Sequence, residues 1–230
     1  MIGIITGMKE ERDAILTKFS TAKVDYSCGG FDFYLLKTQN AILAYSGIGK
    51  VFAAACASSM LSYYKDITTL ISTGITGAID QNLYPFNVLI GSSTVQADMD
   101  TTKFGDPKGL ISGINVVNFK CATELKEKFT AVCKELKLKS QEGIQATCDK
   151  FVWKTAEVNE IRNEFSASSV DMETASIAQV AYIFKKDFGS CRVISDSIAT
   201  LSDYETNKIK AFSILGDIFE ELFKIKGERI

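Results

Sequence analysis

Histidine is absent from all 230 residues, and its absence removes whole classes of chemistry. A Ser-His-Asp triad, a Cys-His dyad and a histidine-ligated metal are excluded. Proton transfer near neutral pH falls to carboxylates, lysine, tyrosine, cysteine or water, and a carboxylate serves once burial or a neighbouring charge retunes it. Charge of one sign is also lacking. The 26 basic and 28 acidic residues leave a formal charge of −2, so no global field draws the chain to nucleic acid or an anionic membrane, and only a local basic patch remains open. There are only two prolines, beside 46% hydrophobic residues, a balance that favours a packed core over disorder.

No C-x-x-C pair occurs among Cys28, Cys56, Cys121, Cys133, Cys148 and Cys191, so a zinc site is not expected. Each thiol reads as a small buried hydrophobe, reduced in a cytoplasmic setting. No run approaches the ~18 apolar residues of a membrane span. The start, MIGIITGMKEERDAIL, has too short an apolar run for a signal peptide. The expected compartment is the cytoplasm, with neither membrane nor nucleic acid as partner.

Short apolar runs alternate with longer helical patterns, which predicts an α/β chain with a mixed or parallel sheet. No repeat or linker divides it, so one domain over residues 1–230 is expected. Ile2 to Thr6 reads as the first strand, followed by a helix from about Lys9 to Phe19 with Ile15, Leu16 and Phe19 inward. Phe33 to Thr38 and Ala41 to Ser46 form a hairpin pattern across Gln39-Asn40. SGIGK (46–50) is a glycine turn leading into the small-residue helix VFAAACASSMLSYY. Further strands are expected at Leu70–Thr73 (stopping at Gly74), Asn87–Val95, Gly143–Cys148 and Cys191–Ser195. Further helices are expected at about Ala122–Leu136, Asp171–Phe184 and Glu205–Lys224.

Two features could carry chemistry. Gly7, the pair Gly47 and Gly49, and the pair Gly74 and Gly77 each follow an apolar strand. Taken singly they fit ordinary tight turns best; the other reading is a backbone that lets a ligand approach beyond the carboxyl ends of strands. None belongs to a G-x-G-x-x-G or P-loop motif, so a dinucleotide or Walker-type site is not supported. Carboxylates mark three strand–helix junctions: Glu10 and Glu11, Asp171 and Glu173, and Asp196. Helix capping accounts for any one of them. Three on one presumed face, in a chain without histidine, are the natural acid–base candidates.

Across nearly its whole length the sequence resembles the bacterial 5′-methylthioadenosine/S-adenosylhomocysteine nucleosidases of the nucleoside phosphorylase superfamily. The resemblance rests on IGIITGMKEE, SGIGKVFAA at 46–54, STGITGA at 72–78, DMDTTKFG at 98–105, CDKFV at 148–152, VDMETASIAQVA at 170–181 and RVISD at 192–196. It implies a three-layer α/β/α sandwich around a mixed, partly barrel-like sheet, and hydrolysis of an N-glycosidic bond that releases adenine. It further implies that Glu11 activates water and that Asp196 acts as general acid at N7 of the base. Glu173 and Met172 would hold the ribose hydroxyls, with Arg192 near them. Phe151 would stack on the base and the Val152 backbone would read its edge. Met8 and Ile48 would line the sugar and 5′ pocket. Phe104 would reach a neighbour's 5′ pocket across a homodimer, and Tyr204 would close that pocket from the loop after Asp196. No metal or organic cofactor is implied, since water is the nucleophile. A phosphorolytic relative, a nucleosidase for aminofutalosine, AMP or adenosine, and a non-catalytic nucleoside-binding protein are the alternatives.

The sequence departs from the family's pattern in several places. Asp171 stands where a glutamate is usual, and Ile75 where a serine is usual. Lys9 and Arg12 break an acidic run around Glu11. Thr101 replaces a more apolar residue, and residues 197–204 align poorly. These departures bear on substrate preference more than on the bond broken.

Overall fold

In the computed structural model, which describes residues 1–197 and 203–225, ten strands and six helices alternate along the chain. The strands are β1 (Ile2–Thr6), β2 (Lys23–Cys28), β3 (Phe31–Leu36), β4 (Ala41–Tyr45), β5 (Thr69–Ala78), β6 (Val88–Gln96), β7 (Asn118–Lys120), β8 (Ser140–Thr147), β9 (Ala167–Asp171) and β10 (Asp187–Ser197). The helices are α1 (Lys9–Leu16), α2 (Lys50–Tyr63), α3 (Thr123–Glu135), α4 (Thr155–Phe165), α5 (Thr174–Ile183) and α6 (Asp203–Leu222). No described helix is long and apolar enough to cross a membrane.

Side-chain alternation in the first strand already sets the layers. In β1, Ile2 and Ile4 join a core with α1, α3 and α6, through Ile15, Phe129 and Phe219. Ile5 faces the opposite core, with Ala53 and Met60 of α2 and Ile177 of α5. β4 repeats the pattern, with Leu43 on one side and Ile42 on the other. The sheet is mixed, running β10-β6-β8-β9-β5-β1-β4-β3-β2, and β10 also pairs with β5. That last pairing closes five strands into a barrel, from which β1 to β4 extend as an open wing. This is the layered, partly barrel-like α/β architecture expected.

β5 is the hinge of the design. Residues 69–73 pair in parallel with β1, while Gly77 and Ala78 pair antiparallel with β9. β10 runs alongside the whole length on the other side. Over residues 74–76, then, the strand has left the wing and not yet joined β9, and a gap opens beside it. Diverging neighbours of this kind are where α/β sheets bind ligands.

Several boundaries differ from expectation for physical reasons. β5 does not stop at Gly74 but runs four residues further, and the glycine serves the gap rather than a turn. The hairpin matches, with Asn40 in the left-handed conformation (φ 53°) and Leu35 paired to Ile42. α1 ends at Leu16, because the Lys18 and Phe19 amides bond three residues back, to Ile15 and Leu16, and tighten the chain into a turn. Asp171 ends a strand instead of opening a helix, and α5 starts at Thr174. β2, β7, α4 and β9 were not anticipated.

Candidate active site

A cavity of about 210 Å³ occupies the gap, lined among others by Met8, Glu11, Ile48, Phe151, Val152, Met172, Glu173, Arg192, Asp196 and Tyr204. Of the residues to which the family resemblance assigns a site role, Phe104 lies outside this lining, as do Gly47, Gly49, Gly74 and Glu10 among the other candidates. Phe104 sits on a 3-10 turn (Thr102–Phe104), 83% exposed. Residues 198–202 of the loop expected to close the 5′ pocket lie outside the described residues.

Glu11 is the third residue of α1, and its carboxylate turns back to cap its own helix, as a glutamate at that position does. Oε2 accepts from the amides of Gly7 (3.0 Å) and Met8 (2.9 Å). Oε1 accepts from the Ile75 amide at 2.8 Å, the amide that the fork in β5 leaves without a strand on that side. Only glycine fits at the adjoining position: a Cβ on Gly74 would lie 2.3 Å from Oε1. Burial pushes the Glu11 carboxyl up, against the opposing pull of the Arg192 charge and the three amides.

Glu173 precedes α5, and its Oε1 accepts from the Gly49 amide at 2.9 Å. Its carboxylate packs against Gly7, where an added Cβ would sit 3.0 Å away. Asp196 comes from a bulge: Ile194 pairs with Thr76 and Asp196 with Gly77, leaving Ser195 as the extra residue. A regular strand sends consecutive side chains to opposite faces, and the bulge lets both Ser195 and Asp196 line the cavity. Ser195 Oγ donates to Asp196 Oδ1 at 2.6 Å, and Asp196 Oδ2 lies 3.4 Å from where a Gly77 Cβ would be. Glu11, Glu173 and Asp196 thus each rest on a glycine.

Arg192 lies beneath them, 2% exposed. It donates to Thr174 Oγ1 (2.9 Å), the Ile75 carbonyl (3.1 Å) and Ser72 Oγ (3.2 Å). Its Nε stands 3.0 Å from Asp171 Oδ2. With three of its five N–H groups engaged by protein, it brings a fixed positive charge to the cavity. Asp171 caps α5: Oδ1 accepts from the Glu173 and Thr174 amides, each at 3.1 Å, and from Thr147 Oγ1 at 2.7 Å. At Asp171 the capping explanation is the one the contacts match. Ile75 turns its side chain into the core with Val193 and Ile4, and its amide and carbonyl do the bonding. Arg12 is buried with its guanidinium 4.9 Å from the Tyr34 ring and 4.8 Å from the Tyr45 ring, paired to Asp13, and does not line the cavity.

Burial, reinforced by the Asp171 charge and opposed by Arg192, pushes Glu173 up to about 7. The folded protein therefore holds a proton that the unfolded chain releases between about 4.5 and 7. The stability this gives is present in full at low pH and is lost as pH rises through that window. Glu173→Gln keeps an acceptor for Gly49 and cannot ionise. Its thermal midpoint should gain on the native protein's between about pH 5 and about pH 8, and parallel midpoint curves would refute the argument.

Sequence reasoning missed Thr76, Lys150, Val170 and Ser195 in the lining. Ser195 was detectable only through the bulge, which no composition signal marks.

A family model described as the phosphorylase superfamily matches residues 1–220. The aminodeoxyfutalosine nucleosidase of Campylobacter jejuni is 32% identical over 205 residues, 89% of each chain. The 5′-methylthioadenosine/S-adenosylhomocysteine nucleosidase of Staphylococcus aureus is 33% identical over 199 residues, 85% of this chain and 86% of that one. Among solved structures, the futalosine hydrolase of Helicobacter pylori matches with a TM-score of 0.89 at 26% identity, covering 97% of both chains. A nucleosidase variant from Helicobacter pylori with 5′-methylthioadenosine in its active site matches at 0.90 and 25% identity, again over 97% of both.

Proposed function

The chain belongs to the phosphorylase superfamily, and from that membership we propose that it is a purine nucleosidase that hydrolyses 5′-methylthioadenosine and S-adenosylhomocysteine. The observation that carries the reading is the set of buried carboxylates around one cavity. Breaking the bond between ribose and adenine builds positive charge on the sugar and negative charge on the base. Asp196 gives a proton to N7 as the base leaves. Glu11 takes a proton from water as the water oxygen bonds the anomeric carbon. A carboxylate offers about four acceptor positions, and three of those on Glu11 are filled by amides. The fourth is left for that water. Glu173 and Met172 hold the ribose hydroxyls. Phe151 presents a flat apolar face to the base, the Val152 backbone reads its edge, and Met8, Ile48 and Tyr204 bound the 5′ side.

Hydrolysis is favoured over phosphorolysis because Arg192, the arginine of the lining, has three donors engaged by Thr174, Ile75 and Ser72. The guanidinium therefore offers a phosphate at most two of its five N–H groups. The rival reading concerns the 5′ substituent: relatives at 32% and 33% identity are named for aminodeoxyfutalosine and for methylthioadenosine with S-adenosylhomocysteine, respectively. Phe104, exposed and remote from its own cavity, fits the role of closing the neighbouring subunit's pocket in a homodimer.

One assay tests these points: adenine release from methylthioadenosine, S-adenosylhomocysteine, adenosine and aminodeoxyfutalosine, and hypoxanthine release from inosine, each with and without phosphate. Methylthioadenosine and S-adenosylhomocysteine should lead in kcat/KM by at least about tenfold, with no phosphate requirement. Strict dependence on phosphate, or preference for aminodeoxyfutalosine, would overturn the assignment at the matching point. The same preparation should sediment at twice the mass of one chain.

A further inference from the structure

Two walls of the cavity come from segments with no strand or helix pairing between them. One is the stretch 149–153, which carries Phe151 and Val152 and has no regular structure of its own. The other is the turn leading into α2, where Ile48 lines the cavity and the Gly49 amide holds Glu173. Asp98, in the turn after β6, is bonded to both. Its Oδ2 accepts from the Asp149 amide at 2.7 Å, and its Oδ1 takes the Lys50 ammonium. Asp149 closes the ring, with Oδ1 accepting from the Lys50 amide at 3.1 Å. The ring is tight around Gly49 (φ 101°), where a Cβ would lie 2.9 Å from Asp149 Oδ1. Asp98 itself does not line the cavity.

We propose that Asp98 is a positioning residue that ties the Phe151–Val152 wall to the Gly49–Glu173 wall and so fixes the distance between base and ribose sites. What those walls bind rests on the function proposed above. The tie itself does not. The other carboxylates proposed to do chemistry are held elsewhere, Glu11 by the amides of Gly7, Met8 and Ile75, Asp196 by the β10 bulge. Opening the ring therefore weakens binding and leaves the chemical step largely intact. Losing the hydrogen bonds that the charged Asp98 makes to both walls should raise KM about tenfold.

The test uses Asp98→Ala, and Asp98→Asn as a milder variant that keeps an acceptor for the Asp149 amide while losing the ion pair. Trp153 is the only tryptophan in the sequence and lies two residues beyond Phe151, so its quenching by acrylamide reports the order of that wall in protein without substrate. Asp98→Ala should increase Trp153 quenching and raise KM for methylthioadenosine about tenfold, with kcat within about threefold of the native value. Asp98→Asn should shift both readouts in the same direction by less. Lys50→Met combined with Asp98→Ala should cost no more than Asp98→Ala alone, because both open one ring. Unchanged quenching, or a fall in kcat at constant KM, would overturn the proposal, as would a lowered melting temperature with both readouts unmoved. Should the native protein release no adenine, quenching still tests the tie, and adenine binding followed through Trp153 replaces KM.

Discussion

Asp196→Asn should lower the turnover of methylthioadenosine by about 10²–10⁴-fold, the range that a positioned general acid contributes. The substitution keeps the shape of the side chain and an oxygen for the 2.6 Å bond from Ser195 Oγ. On the proposed function, it removes the proton that N7 needs as the base departs. The cavity walls stay in place, so affinity for the intact nucleoside should change by less than about tenfold. Single-turnover release of adenine, with equilibrium binding measured beside it, separates the two quantities. Turnover equal to the native protein's would take the acid's role from Asp196. Equal losses in binding and rate would make Asp196 a structural residue of the bulge.

Gly74→Ala adds one methyl group and should be nearly as damaging. The residue has φ 151° and its Cβ would fall 2.3 Å from Glu11 Oε1. Alanine in that backbone region costs roughly 1–3 kcal/mol, and the carboxylate must also leave the Ile75 amide. A carboxylate displaced by an ångström no longer orients water, a fault that costs about 10²-fold in rate. We expect at least that loss in kcat, with a melting temperature lower by roughly 5 °C. The decisive comparison is with Glu11→Gln. The two substitutions disable one group, so the double variant should be little worse than Glu11→Gln alone. Full additivity, or a Gly74→Ala protein of native activity, would contradict the claim that this glycine exists to admit Glu11.

Much of this arrangement could be read from the sequence, because it depends on local patterns. The alternation in Ile2–Thr6, the Asn40 turn and the small-residue run of α2 all have short-range causes and were found where expected. The junction carboxylates were legible for another reason: without histidine, few groups were left to consider. What escaped depends on partners far along the chain. The stretch 167–171 is ASSVD, too polar and too short to mark itself as β9, and it becomes a strand only against β8 and the end of β5. Gly74 reads as a stop until Glu11, 63 positions earlier, is seen to occupy the space of its missing side chain. The partners that hold Arg192, namely Thr174, Ser72 and the Ile75 carbonyl, lie 18, 120 and 117 residues away along the chain. Asp98 gave no local signal, since its partners Lys50 and Asp149 lie 48 and 51 residues away.

The fork in β5 has a consequence beyond catalysis. An unpaired stretch inside a sheet is a template on which another strand can add, the hazard that proteins ordinarily manage at their outer edges. Here the vacancy is internal, and a single glutamate side chain fills it by accepting from the Ile75 amide on one side and from Gly7 and Met8 on the other. Glu11 stands in for a short length of missing strand. Active-site residues are commonly replaced with a gain in stability, because function tolerates strain that folding does not need. At Glu11 that exchange is closed: any residue without the carboxylate's two oxygens leaves main-chain donors bare at the seam between wing and barrel. On the proposed function, selection for a sound sheet and selection for a working base would therefore act on the same two atoms.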